Sequence, residues 1–118
     1  MQVRFTDNFL ANLDSIENYW LEAGFPANYD RLLEILSAQV VSNLESFPEM
    51  GRSFARYEAE SAEAKIRIDK LSTLYPKIRE YLLEDYLLLY LLTDAVYMLA
   101  VKHHKQLSYD FQHLWLNQ

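Results

Sequence analysis

Between Ile78 and His104 the chain reads IREYLLEDYLLLYLLTDAVYMLAVKHH, three apolar runs separated by the polar pairs Glu84-Asp85 and Thr93-Asp94. Each run has the length of a strand, and tyrosine and valine supply the aromatic and β-branched character that strands favour. The pattern predicts three consecutive antiparallel strands joined by two tight turns. Two other readings compete. As a transmembrane helix the stretch would carry Glu84, Asp85 and Asp94 in or near lipid, where a central acid costs roughly 2.5 to 3.5 kcal/mol. As a buried soluble helix it gains from its leucines, but it would be apolar nearly all round and still hold those acids.

Upstream the period changes. Gln2 to Thr6 alternates polar and apolar, as a short first strand does. Asp7 or Asn8 can then cap a helix whose apolar positions Phe9, Leu13, Ile16 and Trp20 recur at helical spacing and which stops at Gly24. After Pro26 a second helix is predicted from about Asn28 to Ser46, with Leu33, Leu36, Val40, Leu44 and Phe47 on one stripe and acids opposite. These two helices form an antiparallel hairpin whose stripe needs a sheet to cover.

Pro48 ends the second helix, and Gly51 is read as a positive-φ position in the block Phe47-Pro48-Glu49-Met50-Gly51-Arg52. Ala64, Ile68, Leu71 and Tyr75 suggest a third helix from about Glu58 to Leu74, although Ile66 and Ile68 in KIRID would also suit a short strand. Leu107, Phe111, Leu114 and Trp115 suggest a short C-terminal helix over Leu107 to Leu116. The expected fold class is α+β: an N-terminal strand and a helical hairpin packed on an antiparallel sheet formed mainly by the three C-terminal strands. Neither a linker nor a repeat interrupts the pattern, so residues 1–118 are expected to form one domain. With 51% hydrophobic content they suffice for a real core.

Charge narrows the function. The net charge is −6, the opposite of the basic excess typical of nucleic-acid binders. Before Arg52 the acids Asp7, Asp14, Glu17, Glu22, Asp30, Glu34, Glu45 and Glu49 face only Arg4 and Arg31. Nucleic acid is therefore not expected as a direct ligand. Cysteine is absent, which excludes disulfides and thiolate metal sites. His103 and His104 diverge on a strand and His113 lies on another element, so neither a metal nor another cofactor is expected. The N-terminus lacks a basic start followed by an apolar run, and a cytoplasmic protein without a membrane span is expected.

In this order, the elements resemble the RelE/ParE superfamily of toxins from bacterial type II toxin-antitoxin systems, also described as plasmid stabilisation proteins. FPEMGR at Phe47 to Arg52 is similar to the family's turn after the hairpin. YLLLYLLTDAVYMLAV at Tyr86 to Val101 is similar to its strand hairpin, with a tyrosine in the first strand and an aspartate in the turn. HHKQ at His103 to Gln106 is similar to the histidine and basic residues that end its last strand. The chain departs from the family in its acidity and in the length of Ser53 to Lys77.

The resemblance implies two activities. In the RelE-like branch, a ribosome-dependent mRNA endonuclease, His104 would be the acid or base, Tyr109 a proton donor, and Arg79, Lys102, His103 and Lys105 contacts to substrate. Such nucleases place cations on the strand that holds Arg79, whereas here Glu80, Tyr81, Leu82 and Leu83 follow it. Removing one preorganised donor typically costs ~2.7 to 4 kcal/mol of transition-state stabilisation. The ParE-like branch is therefore favoured, in which the toxin binds a protein target, DNA gyrase in characterised relatives, without catalysis. There the same residues would be target contacts, while Pro48, Gly51 and Arg52 form a structural motif. A third reading is a member that has lost toxicity and persists as a binding module; all three imply a cognate antitoxin, with which the chain would form a hetero-oligomer, and a homo-oligomer is open. Because the toxin is acidic, the antitoxin segment that wraps it is expected to be less acidic than is usual. The plainer reading of His104 is a histidine at a strand terminus, and of Tyr90 and Tyr97 a place in the sheet face.

Overall fold

A computed structural model describes residues 1–53 and 77–103. Strand β1 (Val3–Phe5) leads into helix α1 (Asp7–Ala23) and then α2 (Pro26–Ile35). A π-helical turn (Leu36–Val40) joins α2 to α3 (Val41–Ser46), followed by β2 (Arg52–Ser53). The meander expected from the apolar runs comes next, as β3 (Ile78–Leu83), β4 (Tyr86–Leu92) and β5 (Val96–His103). The sheet order is β1-β5-β4-β3-β2. β1 runs parallel to β5 and the other neighbours are antiparallel, so the α+β fold holds a mixed sheet. The third helix expected at Glu58 to Leu74 and the C-terminal helix expected at Leu107 to Leu116 lie outside the described residues. Among the described residues, no helix is long and apolar enough to cross a membrane.

Helix α1 is capped by Thr6, one residue before the expected Asp7 or Asn8. Its hydroxyl accepts from the Phe9 N–H at 3.3 Å and donates to the Met98 carbonyl at 2.8 Å. One side chain thus closes the helix start and fixes it to β5. At the other end Gly24 takes φ 84°, the left-handed closure expected of it. Pro26 opens α2 at a position where its missing N–H costs nothing.

The buried stripe of the second helical segment is Leu32, Leu36, Val40 and Leu44; Leu33 is 39% and Phe47 68% exposed. This corrects the expected stripe, and the π turn supplies the reason. A strict four-residue repeat drifts about 40° per step around a helix of 3.6 residues per turn. The wider π turn takes up part of that drift and keeps the repeat on the sheet. Together with Phe9, the stripe packs on Leu83, Tyr86, Leu88, Tyr90, Val96, Met98 and Val101. The opposite face of the sheet also buries side chains, among them Ile78, Leu89, Ala100, Glu80 and Lys102.

β1 covers β5 only from Val96 to Met98. Past that point α1 supplies the partners: Asn8 Nδ2 donates to the Leu99 carbonyl at 2.8 Å, and the Val101 N–H donates to Asn12 Oδ1 at 3.1 Å. Leu99 is the extra residue where the β4–β5 register shifts, a bulge that Asn8 ties down. The edge of β5 is thereby covered along the length where a sheet would otherwise expose unpaired backbone.

Candidate functional site

The FPEMGR block forms a turn held from the sheet by two residues that pair across strands, Arg79 on β3 and Tyr90 on β4. The Tyr90 hydroxyl donates to the Pro48 carbonyl at 2.7 Å and accepts from the Gly51 N–H at 3.0 Å. Arg79 donates through Nε to the Gly51 carbonyl and through Nη2 to the Glu49 carbonyl, both at 2.8 Å. Burial pushes the Tyr90 phenol above its ordinary range, opposed by the Gly51 N–H and the charge of Arg79. Gly51 is required for space. A Cβ there would lie 2.6 Å from the Tyr90 hydroxyl and 2.9 Å from the Glu80 carbonyl oxygen. Its φ is not positive, which corrects the conformational reason expected from the sequence.

Arg52 leaves this turn on β2 and pairs with Glu80 at 3.0 Å; the Glu80 side chain is only 6% exposed. Lys102 lies on the same face of the sheet as Glu80, by way of Leu87 and Leu89 on β4. Burial lowers the Lys102 ammonium pKa, and the negative charge of Glu80 opposes that shift. Arg52, Glu80 and Lys102 form a charged group on the face turned away from the helices.

His103 is on the other face. Its ring meets Tyr86 edge-on, with centroids 5.6 Å apart and planes at 79°. The Tyr86 hydroxyl accepts from Trp20 Nε1 at 2.9 Å, which joins α1 to the end of β4. Asn12, Ser15, Ile16, Tyr19, Trp20, Tyr86, Val101 and His103 line an open cavity of about 580 Å³. Among the expected contact residues, the structure therefore separates three. Arg79 is committed to the turn, in a row with Tyr90 and Met98. His103 lies in a row with Tyr86 and Leu83, four positions along the strand and roughly 13 Å away. Lys102 projects to the opposite face. His104, Lys105 and Tyr109 lie outside the described residues, and among the described residues no three acidic or histidine side chains gather to hold a metal.

A family model described as the ParE toxin of the type II toxin-antitoxin system parDE matches residues 3–108. The chain belongs to the ParE toxin family. It is a type II toxin of the RelE/ParE superfamily, and membership implies a cognate antitoxin as partner. Its turn, meander and opening strand all fall inside the ParE match. A comparison with curated proteins gives no match.

The sequence did not reveal what Tyr86, Tyr90 and Trp20 do. The available signal was placement: two tyrosines four apart share one face of a strand, and a buried phenol needs a partner for its hydroxyl.

Proposed function

We propose that this ParE toxin acts by binding a protein target, DNA gyrase as in characterised relatives, without cleaving RNA, and that a cognate antitoxin neutralises it. The observation that carries the reading is the use made of Arg79. Phosphate cleavage calls for cations aimed at the place where transition-state charge develops. The Arg79 guanidinium instead donates to two carbonyls of the protein's own turn, and Lys102 and His103 lie on opposite faces of the sheet. A net charge of −6 disfavours a polyanion as partner and leaves protein binding unaffected. The family match over residues 3–108 supports treating residues 1–118 as a single toxin domain.

The test is expression of the chain without its partner, following plasmid supercoiling and bulk translation in the same culture. A change in supercoiling that precedes any fall in translation is expected, and it should persist in His104→Ala. Early arrest of translation with intact supercoiling, abolished by His104→Ala, would overturn the reading in favour of the endonuclease.

A further inference from the structure

We propose that the cavity between α1 and the adjoining ends of β4 and β5 is a docking site for an arginine or lysine side chain on a basic segment of a protein partner. The inference rests on the protein-binding reading for the kind of partner and adds the chemistry by which that partner is recognised.

The lining is aromatic. Tyr19 and Trp20 meet edge to face with centroids 5.0 Å apart, and Tyr86 and His103 form a second such pair. The bond from Trp20 Nε1 to the Tyr86 hydroxyl locks the two pairs together, so the ring faces are preorganised. At about 580 Å³, the opening admits a long side chain with part of its backbone. Asn12 and Ser15 add polar groups, and among the described residues no lysine or arginine lines it. A cation over such ring faces is favoured by their quadrupoles.

The surroundings select the sign of the ligand. From Thr6 to Asp30 the chain has five acids, Asp7, Asp14, Glu17, Glu22 and Asp30, and neither lysine nor arginine. Glu22 follows Tyr19 by three positions and so lies on its side of α1. On another side of α1, burial raises the Tyr29 phenol pKa, and the charges of Glu17, Asp14 and Asp30 raise it further. Arg31, the next cation along, is paired with Glu84 at 2.8 Å. At the cavity Tyr19 is 61% exposed, so its ring is open to the residues that flank the inserted cation.

The test is a titration of the ¹⁵N-labelled full chain with blocked peptides of equal length carrying two arginines, two leucines or two glutamates between glycines and serines. The Trp20 indole N–H resonance, assigned by its loss in Trp20→Phe, reports on the cavity. The arginine peptide is expected to shift that resonance and the Tyr19 amide, to bind more weakly as salt rises, and to lose ~2- to 5-fold in affinity in Tyr19→Ala. Tyr19 is exposed enough for that change to leave the fold intact, and Asn18→Ala serves as the matched control. Equal binding by the leucine peptide, preference for the glutamate peptide, shifts from a single-stranded oligonucleotide, or no shift with arginine would each overturn the proposal. No toxicity enters the readout. Failure here beside a normal supercoiling effect would therefore count against this site alone.

Discussion

Arg79 and Tyr90 stand opposite each other on β3 and β4 and hold one turn between them, with four hydrogen bonds to the backbone of Pro48, Glu49 and Gly51. The turn's own apolar side chains, Phe47 and Met50, remain 68% and 48% exposed, so its position is set by the sheet and hardly by its own burial.

Tyr90→Phe keeps the packing of a fully buried ring and removes the hydroxyl alone. The Pro48 carbonyl and the Gly51 N–H then lose a partner, and a loss of about 1–3 kcal/mol in unfolding free energy is expected. A urea titration should show a lower midpoint at an unchanged slope. Gly51→Ala should be destabilising as well. The pair should cost somewhat less than the sum, because Tyr90→Phe removes the atom 2.6 Å from the new Cβ, while the ring carbon Cε1 at 2.8 Å and the Glu80 carbonyl oxygen at 2.9 Å stay.

Asn12 closes the β5 edge where β1 has ended. Asn12→Leu leaves the Val101 N–H without its acceptor and is expected to lower stability by about 1–3 kcal/mol. Asn18→Ala, on the exposed side of the same helix, should stay within about 0.5 kcal/mol of wild type. Hydrogen exchange at the Val101 amide should accelerate in the first variant and remain slow in the second.

Two surface carboxylates give the stability a defined acid limb. The hydrogen bond from Arg31 holds the Glu84 carboxyl below its ordinary range, and bonds from Thr93 and Tyr97 do the same for Asp94. A carboxylate whose pKa falls on folding stabilises the native state above its unfolded value and loses that contribution as the pH falls through its folded value. The loss should therefore be confined to pH values below about 4.5, and it should be small because both groups are exposed. Urea midpoints from about pH 6 down to about pH 3 should fall less steeply in the Glu84→Gln/Asp94→Asn double variant than in wild type. An equal slope in both would remove these two bonds as the source.

Glu84 also sits at φ 51°, in the left-handed region that glycine tolerates best. Glu84→Gly removes the ion pair to Arg31 and relieves the turn. The pair is exposed on both sides, so the backbone term should win and the urea midpoint should rise.

The meander was legible because polar pairs interrupt the apolar run where the chain turns, at Glu84-Asp85 and at Thr93 to Ala95. The helical hairpin was legible from its periodicity and from Gly24. What escaped depends on distant contacts. Thr6 becomes the cap because Met98 lies within its reach, and the stripe shifts to Leu32 because a π turn resets the helix. β2 is two residues long and exists only by pairing with Glu80 and Arg79. At the candidate site the sequence could mark Pro48, Gly51 and Arg52 as a turn, but that Arg79 and Tyr90 hold it follows from β3–β4 register. The divergence of neighbours on a strand, read from the sequence for His103 and His104, applies equally to Lys102 and His103, which the pleat sends to opposite faces.

The central claim, that this ParE toxin acts by binding a protein and not by cutting RNA, is tested most directly with purified components. The chain is titrated against gyrase in a supercoiling assay and, separately, against ribosomes translating a defined mRNA. Inhibition of supercoiling that saturates near a fixed molar ratio, with the mRNA intact, is the expected result. Cleavage of the mRNA by substoichiometric amounts of the chain, with supercoiling unaffected, would contradict it.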